Sequence, residues 1–184
     1  MIRELYCDKW ENLPAIQADA IITDPPYDYP KEAIATAAAA FPGPFICFCR
    51  PEDQFFIPDE YLFWIKTPST KNFSSRCGRF VEMILVKHGR AFNQLHWSQM
   101  TGVYDDRLIY PPYHPHQKPL SLMERLIRIY TNPDDTIFDP FMGSGTTGVA
   151  AKRIGRGFIG CEVDENYFRT ARVRIETNCL RDLE

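Results

Sequence analysis

Four short segments of this chain that read as strands each end in a carboxylate, and that repetition constrains the fold most. The segments are Ile2 to Cys7 before Asp8, Ala20 to Thr23 before Asp24, Thr136 to Phe138 before Asp139, and Phe158 to Cys161 before Glu162. Each has strand length. Helical stretches alternate with them near both ends of the chain: Lys31 to Phe41, Leu120 to Tyr130, a segment ending near Ile154, and Asp164 to Asn178. Strands alternating with helices predict an α/β fold with a mostly parallel sheet and helices on both faces. In such sheets ligands bind at the carboxyl ends of the strands, so four acids at one edge suggest a site. Phe45 to Cys49 reads as a strand buried on both faces, and Tyr61 to Ile65 and Val81 to Val86 read as further strands. Lys66 to Phe80 reads as a loop, and Arg90 to Pro115 as irregular. Ser121 and Glu124 have capping-box spacing at the start of a helix.

At 184 residues the chain is expected to be one domain, 1–184. The net charge of −3 excludes a nucleic-acid binder that works by global charge, yet Tyr61 to Tyr104 holds six Lys/Arg and one acid. The six cysteines have no C-x-x-C spacing, so disulfides and zinc are not expected. No signal-peptide pattern or transmembrane-length run is found, and we read the chain as cytoplasmic with no membrane partner.

Two motifs carry chemistry. Asp24-Pro25-Pro26-Tyr27 follows the second strand. Two prolines fix φ and remove two N–H donors, so the chain leaves the sheet stiffly. A carboxylate, a free carbonyl and a flat ring on one rigid turn suit a planar group bearing an exocyclic amine. An ordinary Pro-Pro turn explains the tetrapeptide about equally well when it is taken alone. The second motif is Gly143, Gly145 and Gly148, which satisfy G-x-G-x-x-G after a strand and at the start of a helix. Glu162 lies 19 residues beyond Gly143, at the end of the next strand, where a carboxylate holds ribose hydroxyls. Too little chain follows for a dinucleotide fold, and the Gly-Lys-Ser/Thr of a P-loop is absent, so a nucleoside-like cofactor is expected.

In this order the motifs resemble the beta group of S-adenosylmethionine-dependent amino-methyltransferases acting on DNA. Members of that group have a circularly permuted motif order on a Rossmann-like methyltransferase fold: the Asp-Pro-Pro-Tyr motif is early and the glycine loop late. His114-Pro115-His116-Gln117-Lys118-Pro119 is similar to the segment that leads into the group's helix before that loop. The resemblance implies S-adenosyl-L-methionine as cofactor. Asp139, Pro140, Phe141 and the backbone of Gly143, Ser144 and Gly145 would cradle its methionine part. Thr146 and Thr147 would lie beneath, Lys118 would approach from the preceding segment, Glu162 would hold the ribose, Val163 would pack on the adenine, and Asp8 would contact its amine. Asp24, Pro25, Pro26 and Tyr27 would be the catalytic turn, and an initial Asp points to the N-6 amine of adenine.

The resemblance also implies DNA as partner. RNA is an alternative polymer, cytosine N-4 an alternative target, and a silent nucleic-acid-binding subunit an alternative of another class. Lys71, Arg76 and Arg79 are expected to meet phosphates, and Trp97, Tyr104, Tyr110 and Tyr113 are aromatics available for stacking on bases. The short insert 90–115 stands where relatives carry a target-recognition segment. At 26 residues it is too small for an independent reader, so a short recognition site, low specificity or help from a second subunit of a homodimer is expected.

Overall fold

The computed structural model describes residues 2–66, 81–89, 102–107, 113–114 and 116–177. In chain order the elements are β1 (Ile2–Tyr6), β2 (Ala20–Thr23), α1 (Lys31–Ala40), β3 (Phe45–Cys49), β4 (Glu60–Ile65), β5 (Val81–Lys87), β6 (Val103–Tyr104), α2 (Leu120–Tyr130), β7 (Thr136–Asp139), α3 (Thr146–Arg153), β8 (Gly157–Cys161) and α4 (Glu165–Thr177). The eight described strands form one sheet in the order β1-β8-β7-β2-β3-β5-β4-β6. Among them only β5 runs antiparallel to its neighbours. The carboxyl ends of β1, β8, β7, β2 and β3 therefore share an edge, and the amino end of β5 reaches that same edge.

Alternate residues along each strand feed opposite faces. Ile22, Ile46, Phe48, Ile84, Val86, Ile137 and Phe158 pack with residues of α2, α3 and α4. Ile21, Phe45, Cys47, Leu85, Phe138 and Ile159 pack on the other face, against Ile34 and Ala38 of α1. Helices cover both faces, as expected, but unevenly: on the α1 face, Trp10, Leu13, Ile16 and Phe55, all outside the α-helices, supply much of the cover. Phe45–Cys49 is buried at every position, which fits a continuous apolar run. Cys47, Cys49 and Cys161 are buried free thiols, and Cys7 is a free exposed one. No helix among the described residues is long and apolar enough to cross a membrane.

Two expectations are corrected. The Ser121–Glu124 capping box does not form. Pro119 stands at the N-cap of α2 without a side-chain cap bond; Ser121 donates to Asp106 instead, and Glu124 pairs with Arg153 at 2.5 Å. Tertiary partners outcompete the local ones. The stretch 90–115 is also not wholly irregular, because Val103–Tyr104 pairs with β4 as the outermost strand. Tyr104 is buried there, and Asp106 accepts from the Trp64 indole N–H at 2.8 Å through its carbonyl, so this part of the insert is sheet edge.

Candidate active site

The chain runs from β7 to β8 on one side of the sheet and from β2 to β3 on the other. The crevice between β7 and β2 is thus a topological switch point, where open α/β sheets bind ligands. A cavity of about 720 Å³ opens there, within the range of small-molecule sites. Asp8, Asp24, Asp139 and Glu162 all line it, so the four strand-end acids meet in one place.

The turn after β2 supplies one half. Lys118 Nζ sits 2.6 Å from Asp24 Oδ2 and 3.0 Å from Glu82 Oε2. Glu82 is the second residue of β5, and Lys66 lies 3.6 Å from its Oε1. The Tyr27 hydroxyl donates to that same Oε1 at 2.9 Å. Glu82 is 1% exposed and Lys118 7%, so this is a buried charge network and its members must hold one another ionised. Burial pushes the Asp24 carboxyl above its ordinary value, against the opposing pull of Lys118. Burial would raise Glu82 as well, but the ammoniums of Lys118 and Lys66 outweigh it and hold its carboxyl below the usual value. Burial opposes the charge on Lys118, and Asp24 and Glu82 overcome that and raise it. Tyr27 is pushed up to about 12 by burial and by Glu82, so its hydroxyl stays protonated and donates. Among the described residues, Asp24 Oδ1 accepts no hydrogen bond.

The glycine loop supplies the other half. Asp139, at the end of β7, accepts from the Thr147 hydroxyl at 2.6 Å and from the Phe141 N–H at 3.1 Å. It is 3% exposed, and burial outweighs those bonds and pushes its carboxyl up to about 7. Glu162 accepts from the N–H of Gly143 at 2.9 Å and of Asp164 at 2.9 Å, one on each oxygen. Its carboxylate therefore pins the loop to β8 while retaining acceptor capacity toward the cavity. Asp164 Oδ1 accepts from Asn166 and Tyr167 N–H groups and caps α4. Arg174 donates to the Ser144 carbonyl at 2.6 Å and braces the loop from behind.

The glycines divide their duties. Gly143 has φ +53, so the turn itself requires it. Gly145 has φ +80, and a Cβ there would stand 2.9 Å from that of Ala171. A Cβ on Gly148 would meet Ile175 at 2.6 Å and Phe158 at 2.7 Å. Gly145 and Gly148 let α3 approach α4 and β8, and the ligand side of the loop begins at Gly143.

These donors fit a nucleoside with a charged amino-acid arm. Val163 is 64% exposed beside Glu162, an apolar surface next to a carboxylate. Pro140, Phe141, Gly143, Ser144, Thr146, Thr147 and Val163 line the cavity, while Gly145 does not. Asp8 lines it too, with its Oδ1 accepting from Lys9 N–H and Asn12 Nδ2. Lys118, expected to approach the cofactor, places its ammonium on Asp24 and Glu82. Lys71, Arg76, Arg79, Trp97 and Tyr110 lie outside the described residues. Tyr113 lies under the Arg174 guanidinium at 4.5 Å. Sequence reasoning passed over Glu82 and Arg50. An acid inside the apolar run Val81 to Val86 was the available signal for the first, since buried acids are rarely unpaired. Arg50, directly after β3, lies with its Cζ 3.6 Å from the centre of the Tyr27 ring.

An open, mostly parallel sheet with an acid-lined, nucleoside-sized cavity at its switch point defines a Rossmann-like methyltransferase fold. The chain belongs to the DNA methylase family, whose model matches residues 45–173. The crystal structure of the M1.HpyAVI–SAM complex superposes with a TM-score of 0.68 at 33% identity, covering 95% of this chain and 100% of that one. A putative DNA modification methylase of Thermus thermophilus, TTHA0409, solved with S-adenosyl-L-methionine, shares the fold at a TM-score of 0.72 and 20% identity, covering 95% of this chain and 93% of that one. Among curated proteins, 63 residues are 56% identical to the type II methyltransferase M2.DpnII of Streptococcus pneumoniae, 34% of this chain and 24% of that protein. A similar stretch of 62 residues is 52% identical to M2.LlaDCHI of Lactococcus lactis subsp. cremoris, 34% of this chain and 23% of that protein. The matches thus span about a quarter of the length of these curated relatives.

Proposed function

We propose that the protein transfers a methyl group from S-adenosyl-L-methionine to the exocyclic N-6 amine of adenine in DNA, after the base has left the stack. The observation that carries this reading is Asp24, held on a rigid turn by a buried ammonium and lining the same cavity as the glycine loop. The cofactor supplies a methyl group on a sulfonium.

The amine of adenine is a weak nucleophile, because its lone pair is delocalised into the ring. Asp24 Oδ1 and the Pro25 carbonyl accept its two N–H groups and favour a pyramidal nitrogen aimed at the methyl. That is positioning plus preorganised electrostatics. The bound cofactor would give up its methyl to that nitrogen and leave as the neutral thioether, and the nitrogen, acidic once alkylated, would lose its proton through Asp24 to water. Lys118 keeps Asp24 ionised and fixes its rotamer through Oδ2. Extrusion of the base costs about a few kcal/mol, which stacking on Tyr27 offsets in part. Glu162 would hold the ribose of the cofactor, Val163 would pack on its adenine, Asp8 would meet its amine, and Asp139 with Phe141 and Gly143 would frame its methionine arm.

The test is transfer of tritiated methyl to duplex DNA and to single-stranded RNA by the wild-type protein and Asp24→Ala. We expect transfer to DNA, none by the variant, and an equal thermal shift of both proteins by the cofactor. Retained transfer by Asp24→Ala contradicts the role of that carboxylate.

A further inference from the structure

Tyr27 is pinned at two places. Its hydroxyl donates to Glu82 at 2.9 Å, and its ring meets His116 at 5.9 Å with planes at 83°. One ring face is covered by the guanidinium of Arg50, with Cζ 3.6 Å from the ring centre. A guanidinium is flat and conjugated, so at that separation it fills the layer that a stacked base would fill. Arg50 is also the loosely held cation among its neighbours. Lys118 and Lys66 face buried Glu82, whereas the partner of Arg50 is Asp53 at 3.8 Å, with side chains 35% and 27% exposed. An ion pair so exposed contributes little. On leaving the ring Arg50 therefore gives up only the ring contact and a weak ion pair, and it lines an otherwise acid-rich cavity.

We propose that Arg50 is a movable nucleic-acid contact: its guanidinium covers Tyr27 in the free protein and passes to a backbone phosphate beside the extruded nucleotide when the base takes that ring face. This rests on reading Tyr27 as the stacking surface for a flipped base. Covering the ring keeps an apolar face out of water between encounters. Transfer to a phosphate gives the acidic cavity a cation where the polyanion must approach, with the fork geometry that suits phosphate oxygens. Exchange of one contact for the other couples base extrusion to backbone binding.

The test is the salt dependence of binding to a short fluorescein-labelled duplex carrying an adenine mapped as methylated by the wild-type protein, followed by anisotropy with S-adenosylhomocysteine present. Loss of one phosphate contact flattens the slope of log affinity against log salt by about 0.9. We expect that flattening in Arg50→Ala and a wild-type slope in Arg50→Lys, which keeps the charge. The thermal shift by S-adenosylmethionine reports that each variant is folded. A slope in Arg50→Ala equal to wild type overturns the proposal. So does an equally flat slope in both variants, because the effect then comes from Tyr27 packing and not from a phosphate. A wild-type protein that neither binds nor methylates any duplex overturns the DNA reading itself, which is a different failure.

Discussion

Replacing Lys118 by Met tests the buried network most severely. The ammonium lies 2.6 Å from Asp24 and 3.0 Å from Glu82. At an effective dielectric constant of about 20, Coulomb's law gives about 6 kcal/mol for the first pair and nearly as much for the second. Desolvation of the three ions, at several kcal/mol each, offsets most of that, so the net contribution to stability is small. Removing the cation alone is another matter, because it leaves Asp24 unpaired beside Glu82, with only Lys66 at 3.6 Å left to offset the two charges. Breaking one buried pair in this way costs about 3–5 kcal/mol. We expect a loss of that size for Lys118→Met in urea denaturation near neutral pH. Lys118 lowers both Asp24 and Glu82, so without it the pair takes up a proton more readily and the loss shrinks on acidification. Adding Glu82→Gln to Lys118→Met removes the second carboxylate charge while keeping an acceptor for the Tyr27 hydroxyl. The double variant should recover at least about half of the loss, a coupling that additive sites do not show. A single-variant loss below about 1 kcal/mol, unchanged with pH, refutes the reasoning.

Three further outcomes follow from the same geometry. Asp24 must be ionised to accept the amine, and its carboxyl is raised, so the acid limb of the kcat profile should lie above the ordinary carboxylate range and move higher still in Lys118→Met; a limb at an unshifted carboxylate value counts against this. Asp139 is pushed up to about 7, so the folded state holds a proton that the unfolded state releases near about 4. Stability lent by that proton is present below about 4 and lost as pH rises to about 7, so Asp139→Asn should gain on the wild type across that window, and a pH-independent difference in melting temperature contradicts it. Gly145→Ala should lose about 1–3 kcal/mol, since it places a Cβ at φ +80 and 2.9 Å from Ala171, and an unchanged denaturation midpoint refutes the packing role.

The strand-end acids were legible because parallel strands deliver their carboxyl ends to one edge whatever their spacing in the chain. Asp8, Asp24, Asp139 and Glu162 accordingly line one cavity. Glu82 was not legible in that way. It reaches the edge from the amino end of β5, and apolar periodicity does not encode strand direction. Lys118 was assigned to the site, but its partner Asp24 is 94 residues away, a pairing that only the folded chain specifies. The glycine spacing located the loop but did not disclose why two of its members are small. Gly145 and Gly148 are small because α4 and β8 press on them, which depends on a helix that follows later in the chain. The Ser121–Glu124 box had the right letters, but Asp106 and Arg153 offered those side chains stronger partners.

Mass spectrometry of nucleosides is the most direct measurement of the central claim. Duplex DNA and RNA are incubated with the protein and S-adenosylmethionine, digested, and compared with the same reactions containing Asp24→Ala. We expect N-6-methyladenosine in its deoxy form from DNA with the wild-type protein, and none with the variant. Methylcytosine as the product, methylation confined to RNA, or equal product from Asp24→Ala would contradict it.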